Sequence, residues 1–176
     1  WPEDERMLLN WFQSAPPATL LLLVPHETNA AHLEELDKEI ARNGLSSQTS
    51  RFSALTEKVP GHIRIVIIDR IGLLSKTYRY ANVAYIGGGF GAGIHNTLEA
   101  AVFGVPVVFG PRYQKFKEAI GLIACGGGFH ISDFQDFKRK LNSLTDHPQE
   151  LENAGRAAGT FVSRRTGATA RIMSSI

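Results

Sequence analysis

Thr19-Leu-Leu-Leu-Leu-Val24 is an unbroken apolar run closed by Pro25, which predicts a strand buried on both faces, as in parallel sheets. From Ala30 to Arg42 the period changes to that of a helix. Leu33, Leu36 and Ile40 form one stripe, Thr28 or Asn29 supplies the cap, and Asn43-Gly44 the stop. Gln48 to Leu55 is a weaker strand and Ile63 to Ile68 a strong one, followed by a helix through Leu73, Leu74 and Tyr78. Val83-Ala-Tyr-Ile86 is the next strand and runs directly into Gly87-Gly-Gly-Phe-Gly-Ala-Gly93. Leu98, Ala101, Val102 and Val105 then predict a helix from Asn96 to Phe103, stopped by Gly104, before a strand at Pro106–Phe109. Tyr113 to Ala124 reads as a helix and Phe129–Ile131 as a short strand. The helix after it has Ser132 as cap and Phe134, Phe137, Leu141 and Leu144 on one face. A small-residue helix carrying Ala154, Ala158 and Phe161 follows His147-Pro148. Strand and helix alternate throughout, which argues for an α/β fold with a doubly wound, mostly parallel sheet.

Composition narrows the function classes. Of 176 residues, 43% are hydrophobic and 20% charged, enough for a packed core and unlike a disordered chain. The five-residue run Leu20–Val24 is far short of the roughly 20 needed to span a bilayer. Lys and Arg total 19 against 17 Asp and Glu, too balanced to imply nucleic acid, although Arg156, Arg164, Arg165 and Arg171 give the tail a basic cast. One cysteine, Cys125, excludes an internal disulfide and a cysteine zinc cage, and with no basic neighbour it reads as an inert, semi-buried thiol. The chain starts at Trp1 rather than Met, as a piece of a longer protein would, and its first residues are acidic where a signal peptide is basic.

The sharpest chemical signal is the glycine segment with its flanks. Five glycines in the seven residues Gly87–Gly93, between a strand and a helix start, let backbone N–H groups approach an anion. In an open α/β sheet this is the carboxyl edge of the strands, where ligands bind. No Gly-Lys-Ser/Thr follows, so it is not a Walker loop, and it comes too late in the chain for a dinucleotide-binding fingerprint. Asn96 and Glu99 have capping-box spacing, and the same spacing serves a ribose-binding carboxylate, so both readings stand. His95 is not needed for capping and leans towards an anion. Pro25-His26-Glu27 ends a strand at the same kind of edge, where a plain turn explains Pro and Glu equally well. His32 reads as helix surface, and Asp69-Arg70 as an ion pair or loop charges.

The order of these motifs resembles the bacterial 3-deoxy-D-manno-octulosonic acid (Kdo) transferases. The resemblance is carried by Asp69-Arg-Ile-Gly-Leu-Leu, Tyr78-Arg-Tyr-Ala-Asn-Val-Ala-Tyr-Ile-Gly-Gly-Gly-Phe, Gly93-Ile-His-Asn-Thr-Leu-Glu-Ala-Ala-Val-Phe-Gly-Val-Pro-Val-Val-Phe-Gly-Pro111 and Phe116-Lys-Glu118. It implies a single lobe over residues 1–176, the Rossmann-like C-terminal, donor-binding half of a two-lobed GT-B glycosyltransferase, whose first strand lies upstream of Trp1. It further implies CMP-Kdo as donor and a lipid A precursor as acceptor, the latter held by the other lobe, in lipopolysaccharide core synthesis at the cytoplasmic face of the inner membrane. The lobe itself is expected to be soluble and, alone, inactive. No cofactor and no metal are implied. Donor contacts are expected from Pro25, His26, Glu27, Gly87, Gly88, Gly89, Phe90, Gly91, Gly93, His95, Asn96, Thr97 and Glu99, with no catalytic residue in this stretch. Gly89 replaces the serine of a family Gly-Gly-Ser, Ile94 the second glycine of Gly-Gly-His-Asn, and Lys115-Phe116 stands where Asn-Phe is common. A GT-B lobe for a uridine or guanosine sugar nucleotide, and a non-catalytic nucleotide-binding module, are the alternatives.

Overall fold

The computed structural model describes residues 1–56 and 58–165, which leaves Arg171 outside it. The chain forms two compact units, Trp1–Lys76 and Thr77–Ile176. In the first unit, helix α1 (Pro2–Phe12) precedes strand β1 (Leu21–Leu23), helix α2 (Ala30–Arg42), strand β2 (Thr49–Arg51) and strand β3 (Ile65–Ile67). The sheet order is β1-β3-β2, all parallel, with Leu21 opposite Ile65 and Thr49 opposite Ile65 on the other side. A central parallel strand has both backbone edges and both faces covered, and Ile65 and Ile67 are accordingly buried. The more apolar run in the sequence is at the sheet edge instead. Leu23 of β1 is buried, while Leu22 is 42% exposed and Leu20, just before the strand, 72%, so the expectation of a strand covered on both faces fails for these two.

Helix α1 was not among the predicted elements, although the sequence carries its signals: Pro2 at its first position and Glu3, Asp4 and Glu5 in its first turn. It buries Met7, Leu9, Trp11 and Phe12. Asn29 caps α2 by accepting from the His32 N–H at 2.9 Å, as predicted. His32 is not a surface residue. Its Nε2 lies 2.9 Å from Oε1 of the buried Glu5, joining α2 to α1. His32→Ala leaves that carboxylate buried without this partner, so we expect a loss of about 1–3 kcal/mol in urea unfolding. An unchanged midpoint would show that water serves Glu5 equally well.

A one-turn helix, α3 (Leu74–Thr77), leads into the second unit, where the expected helix through Tyr78 gives way to a 3₁₀ turn at Tyr78–Tyr80. Strand β4 (Ala84–Ile86), helix α4 (Leu98–Ala101), strand β5 (Val107–Phe109), helix α5 (Lys117–Cys125) and strand β6 (Gly128–His130) follow, then helices α6 (Phe134–Asp146) and α7 (Pro148–Ser163). The sheet is again parallel, in the order β4-β5-β6. Central β5 is fully apolar and fully buried. The core of this unit gathers Ile86, Ile94, Ala100, Val107, Phe109, Leu122, Ala158 and Phe161.

The cap of α6 is Asp133, one residue after the predicted Ser132. Its side chain accepts from the Asp136 N–H at 2.8 Å, and Asp136 accepts from the Ser132 N–H at 3.1 Å. Cys125 is exposed rather than half-buried, its thiol donating to the Leu122 carbonyl. No helix among the described residues is long and apolar enough to cross a membrane. Parallel strands connected through helices place the molecule in the α/β class that the pattern predicted.

Candidate functional site

In a parallel sheet all carboxyl ends share one edge, and in the second unit that edge carries the glycine loop after β4, Pro111–Tyr113 after β5 and His130 at the end of β6. The loop folds back on itself. Gly91 and Gly93 both donate their N–H to the Gly88 carbonyl, at 2.9 and 3.0 Å, and Gly88 and Gly93 hold φ of 90° and 115°. Between these tied amides, the N–H groups of Phe90 and Ala92 have no partner among the described residues. The loop therefore presents alternate backbone donors.

Four contacts fix the loop against its neighbours. Gly89 and Gly110 cross so closely that a β-carbon on Gly89 would lie 2.6 Å from the Gly110 Cα. The Arg112 N–H donates to the Gly89 carbonyl at 2.9 Å, while its guanidinium Nη1 donates to the Gly91 carbonyl. Gly93 ends the loop under the Phe116 ring, 3.4 Å from where a β-carbon would sit. Arg112 was not among the residues singled out in the sequence. Its available signal was position: the second residue after a Gly-Pro break at the end of a buried strand.

The segment after the loop differs from expectation. The predicted Asn96–Phe103 helix is the single turn α4, too short for a useful macrodipole, so the anion-binding helix start falls away. Val102, one of the residues that suggested the helix, is exposed, while Val105 is buried as the lead-in to β5. Asn96 does not cap through Glu99's backbone. Its Oδ1 accepts from the Leu98 N–H at 3.0 Å, and its Nδ2 donates to Glu99 Oε1 at 3.1 Å. Thr97 is buried, and His95 and Asn96 are exposed. Ile94, where the resemblance implies glycine, is 3% exposed and belongs to the core.

Glu99 also acts on Tyr78. Burial, with the Glu99 charge adding to it, pushes the Tyr78 phenol up to about 12 from 10.0. A raised phenol contributes stability below its unfolded pKa, and that contribution is lost as pH rises through the window to the folded value. Stability should therefore fall between about pH 10 and 12, by on the order of 2 kcal/mol. Absorbance titration at alkaline pH should find one tyrosine ionising near 12, and Glu99→Gln should bring it down. A titration of Tyr78 near 10 in the wild type would refute both statements.

The first unit places Pro25, His26 and Glu27 in the turn after β1. His26 stacks on Trp1 at 4.5 Å, and Glu27 accepts from Asn29 Nδ2 at 2.8 Å. Asp69, at the carboxyl end of β3, does not pair with Arg70. It accepts from the Ser53 N–H at 3.0 Å and from the Ser53 hydroxyl. Desolvation raises its carboxyl, and the Ser53 hydrogen bonds, its own backbone and the Arg51 charge outweigh that and hold it below the usual value. Glu118 makes no ion pair with Lys115 or Lys117. Among the described residues no three His, Cys, Asp or Glu side chains gather around a metal-sized site.

No family model matches the chain. Its sequence is 34% identical over 154 residues to the 3-deoxy-D-manno-octulosonic acid transferase of Chlamydophila psittaci, covering 85% of this chain and 34% of that protein. It is 28% identical over 166 residues to the same enzyme of Bordetella pertussis, covering 93% of this chain and 38% of that one. The chain is a relative of the Kdo transferases. It spans about a third of their length. The fold agrees, with a TM-score of 0.78 to the C-terminal CMP-Kdo binding domain of WaaA from Acinetobacter baumannii, at 21% identity, covering 90% of this chain and 83% of that one. The Anabaena protein HepE, solved in complex with UDP, matches at a TM-score of 0.68 and 17% identity, covering 97% of this chain and 44% of that one. These likenesses identify the lobe fold of GT-B glycosyltransferases.

Proposed function

We propose that this chain binds CMP-Kdo as the donor lobe of a Kdo transferase, and that the whole enzyme transfers Kdo to a lipid A precursor at the cytoplasmic face of a bacterial inner membrane. The observation that carries the reading is the loop after β4. Its free Phe90 and Ala92 N–H groups lie at the carboxyl edge of a parallel sheet, in a chain whose sequence relatives are Kdo transferases. In the reaction an acceptor hydroxyl attacks C2 of the donated sugar and gives up its proton to solvent or a base of the whole enzyme, the bond between C2 and the phosphate oxygen breaks, and CMP leaves with the negative charge. Backbone N–H groups beside that phosphate stabilise the leaving charge. Glu99 accepts from a ribose hydroxyl, and Asn96, already bonded to Glu99, holds it in place. Thr97 positions the same turn from beneath, and His95 offers a ring N–H to an anion. Pro25, His26 and Glu27 stay in the proposal on the resemblance alone.

Asp69, the carboxylate at a strand end, is committed to Ser53 and held below its usual pKa, which makes it a weak base near neutral pH. Closure of two lobes over donor and acceptor supplies the geometry for transfer, so the lobe by itself is expected to bind without transferring. Amide NMR titrations with CMP-Kdo, CMP and UDP are the test. CMP and CMP-Kdo should move Phe90, Gly91, Ala92 and Glu99. Shifts with UDP alone would favour a uridine sugar nucleotide, and no shift in the loop with any of the three would overturn the donor reading.

A further inference from the structure

We infer that Arg112 recognises the carboxylate of the donor's sugar and so selects keto-acid sugar nucleotides over ordinary ones. The inference rests on the donor reading above and goes beyond it by naming the group that distinguishes the donor.

Several cations among the described residues are already matched. Lys38, Arg42, Arg51, Arg139, Lys140 and Arg156 each pair with a carboxylate, and Arg79 and Arg165 lie over the Phe103 and Phe161 rings. Arg112 has neither kind of partner. Its exposed guanidinium is anchored by one bond to a neutral acceptor, the Gly91 carbonyl, and its own backbone N–H is tied to Gly89. Guanidinium has five N–H donors in a planar fork, so this anchor leaves most of them for a ligand. The side chain is thus held in one place with its charge uncompensated.

The ligand chemistry supplies what that fork fits. In a CMP-linked 3-deoxy-2-ulosonate, the carboxylate and the phosphate oxygen are attached to the same carbon. A site that holds the phosphate on loop N–H groups therefore meets the carboxylate within a few bonds. Arg112 bonds the loop at Gly91, between the free Phe90 and Ala92 amides, and a planar carboxylate is the anion that a fixed guanidinium binds through two parallel hydrogen bonds. Nucleotides of neutral sugars lack that group and gain nothing from it. Lys115 and Lys117 add positive charge on the next turn of chain but have no comparable anchor to the loop.

The experiment compares two ligands across three proteins by calorimetry, in the full enzyme and in the lobe. Arg112→Gln keeps an N–H donor for Gly91 while removing the fork and the charge. It should weaken CMP-Kdo by at least about tenfold and leave CMP within about twofold. Arg112→Lys should fall between, because a point charge restores attraction but not the paired geometry. Equal weakening of both ligands would assign Arg112 to the phosphate or to loop integrity, and no weakening of either would leave it a structural tie. Both results overturn the inference. Wild-type protein that binds neither ligand would overturn the donor reading and this inference with it, an outcome the variants cannot mimic.

Discussion

Gly155→Leu should lower the unfolding free energy by roughly 3 kcal/mol, the upper end of what overpacking costs. A β-carbon at this position of α7 would lie 2.4 Å from the carbonyl oxygen of Gly104, the residue that turns the chain from α4 towards β5. Both partners are backbone, so no rotamer change relieves the clash. Either α7 lifts off or the turn shifts, and the turn is itself held by Gly104 at φ 70°. Gly155→Ala makes the test sharper, because helix propensity alone would favour alanine by about 1 kcal/mol. Net destabilisation of Gly155→Ala in urea unfolding would confirm that the close approach outweighs propensity. Net stabilisation would show that α7 does not pack on the turn in this way.

That contact was half visible in the sequence. The small-residue character of 148–163 was legible, and Ala154, Ala158 and Phe161 do face the core. Which glycine meets which turn was not, because the partner lies some fifty residues away and leaves no periodic trace. The same limit explains the strands. A continuous apolar run marks a parallel strand but carries no label for centre or edge, so Leu20–Val24 looked like the most buried strand while β3 and β5 hold the central places. Short helices fail for another reason. Leu98, Ala101, Val102 and Val105 satisfy helical spacing, yet Val105 is spent on the entry to β5, and four helical residues remain. The glycine loop was legible because glycine density needs no tertiary context. Arg112 was not, because an arginine after Gly-Pro reads as an ordinary turn charge until the loop it grips is seen.

Gly89→Ser should do more harm than any other single change in the glycine loop, although the resemblance to the Kdo transferases implies serine there. In this chain the β-carbon would meet Gly110 at 2.6 Å from both its Cα and its N, between the loop after β4 and the chain leaving β5. The hydroxyl adds volume to a position with no space for a methyl, and the neighbouring Arg112 N–H to Gly89 carbonyl bond ties the two segments together at that point. Separating them costs packing on the order of 1–3 kcal/mol and moves the Arg112 guanidinium away from the Gly91 carbonyl. Stability and donor affinity should therefore fall together, the second by tenfold or more. Gly91→Ala is the matched control. Its β-carbon would find only the Gly88 oxygen, 3.9 Å away, and its φ is not positive, so alanine fits without strain. It should change stability by less than about 0.5 kcal/mol, with a small gain from the stiffer unfolded chain. Thermal unfolding and CMP-Kdo titration of the two variants side by side decide the matter. Equal tolerance at both positions would mean that the loop does not cross Gly110 closely, and that the glycine at 89 is a substitution of no structural consequence.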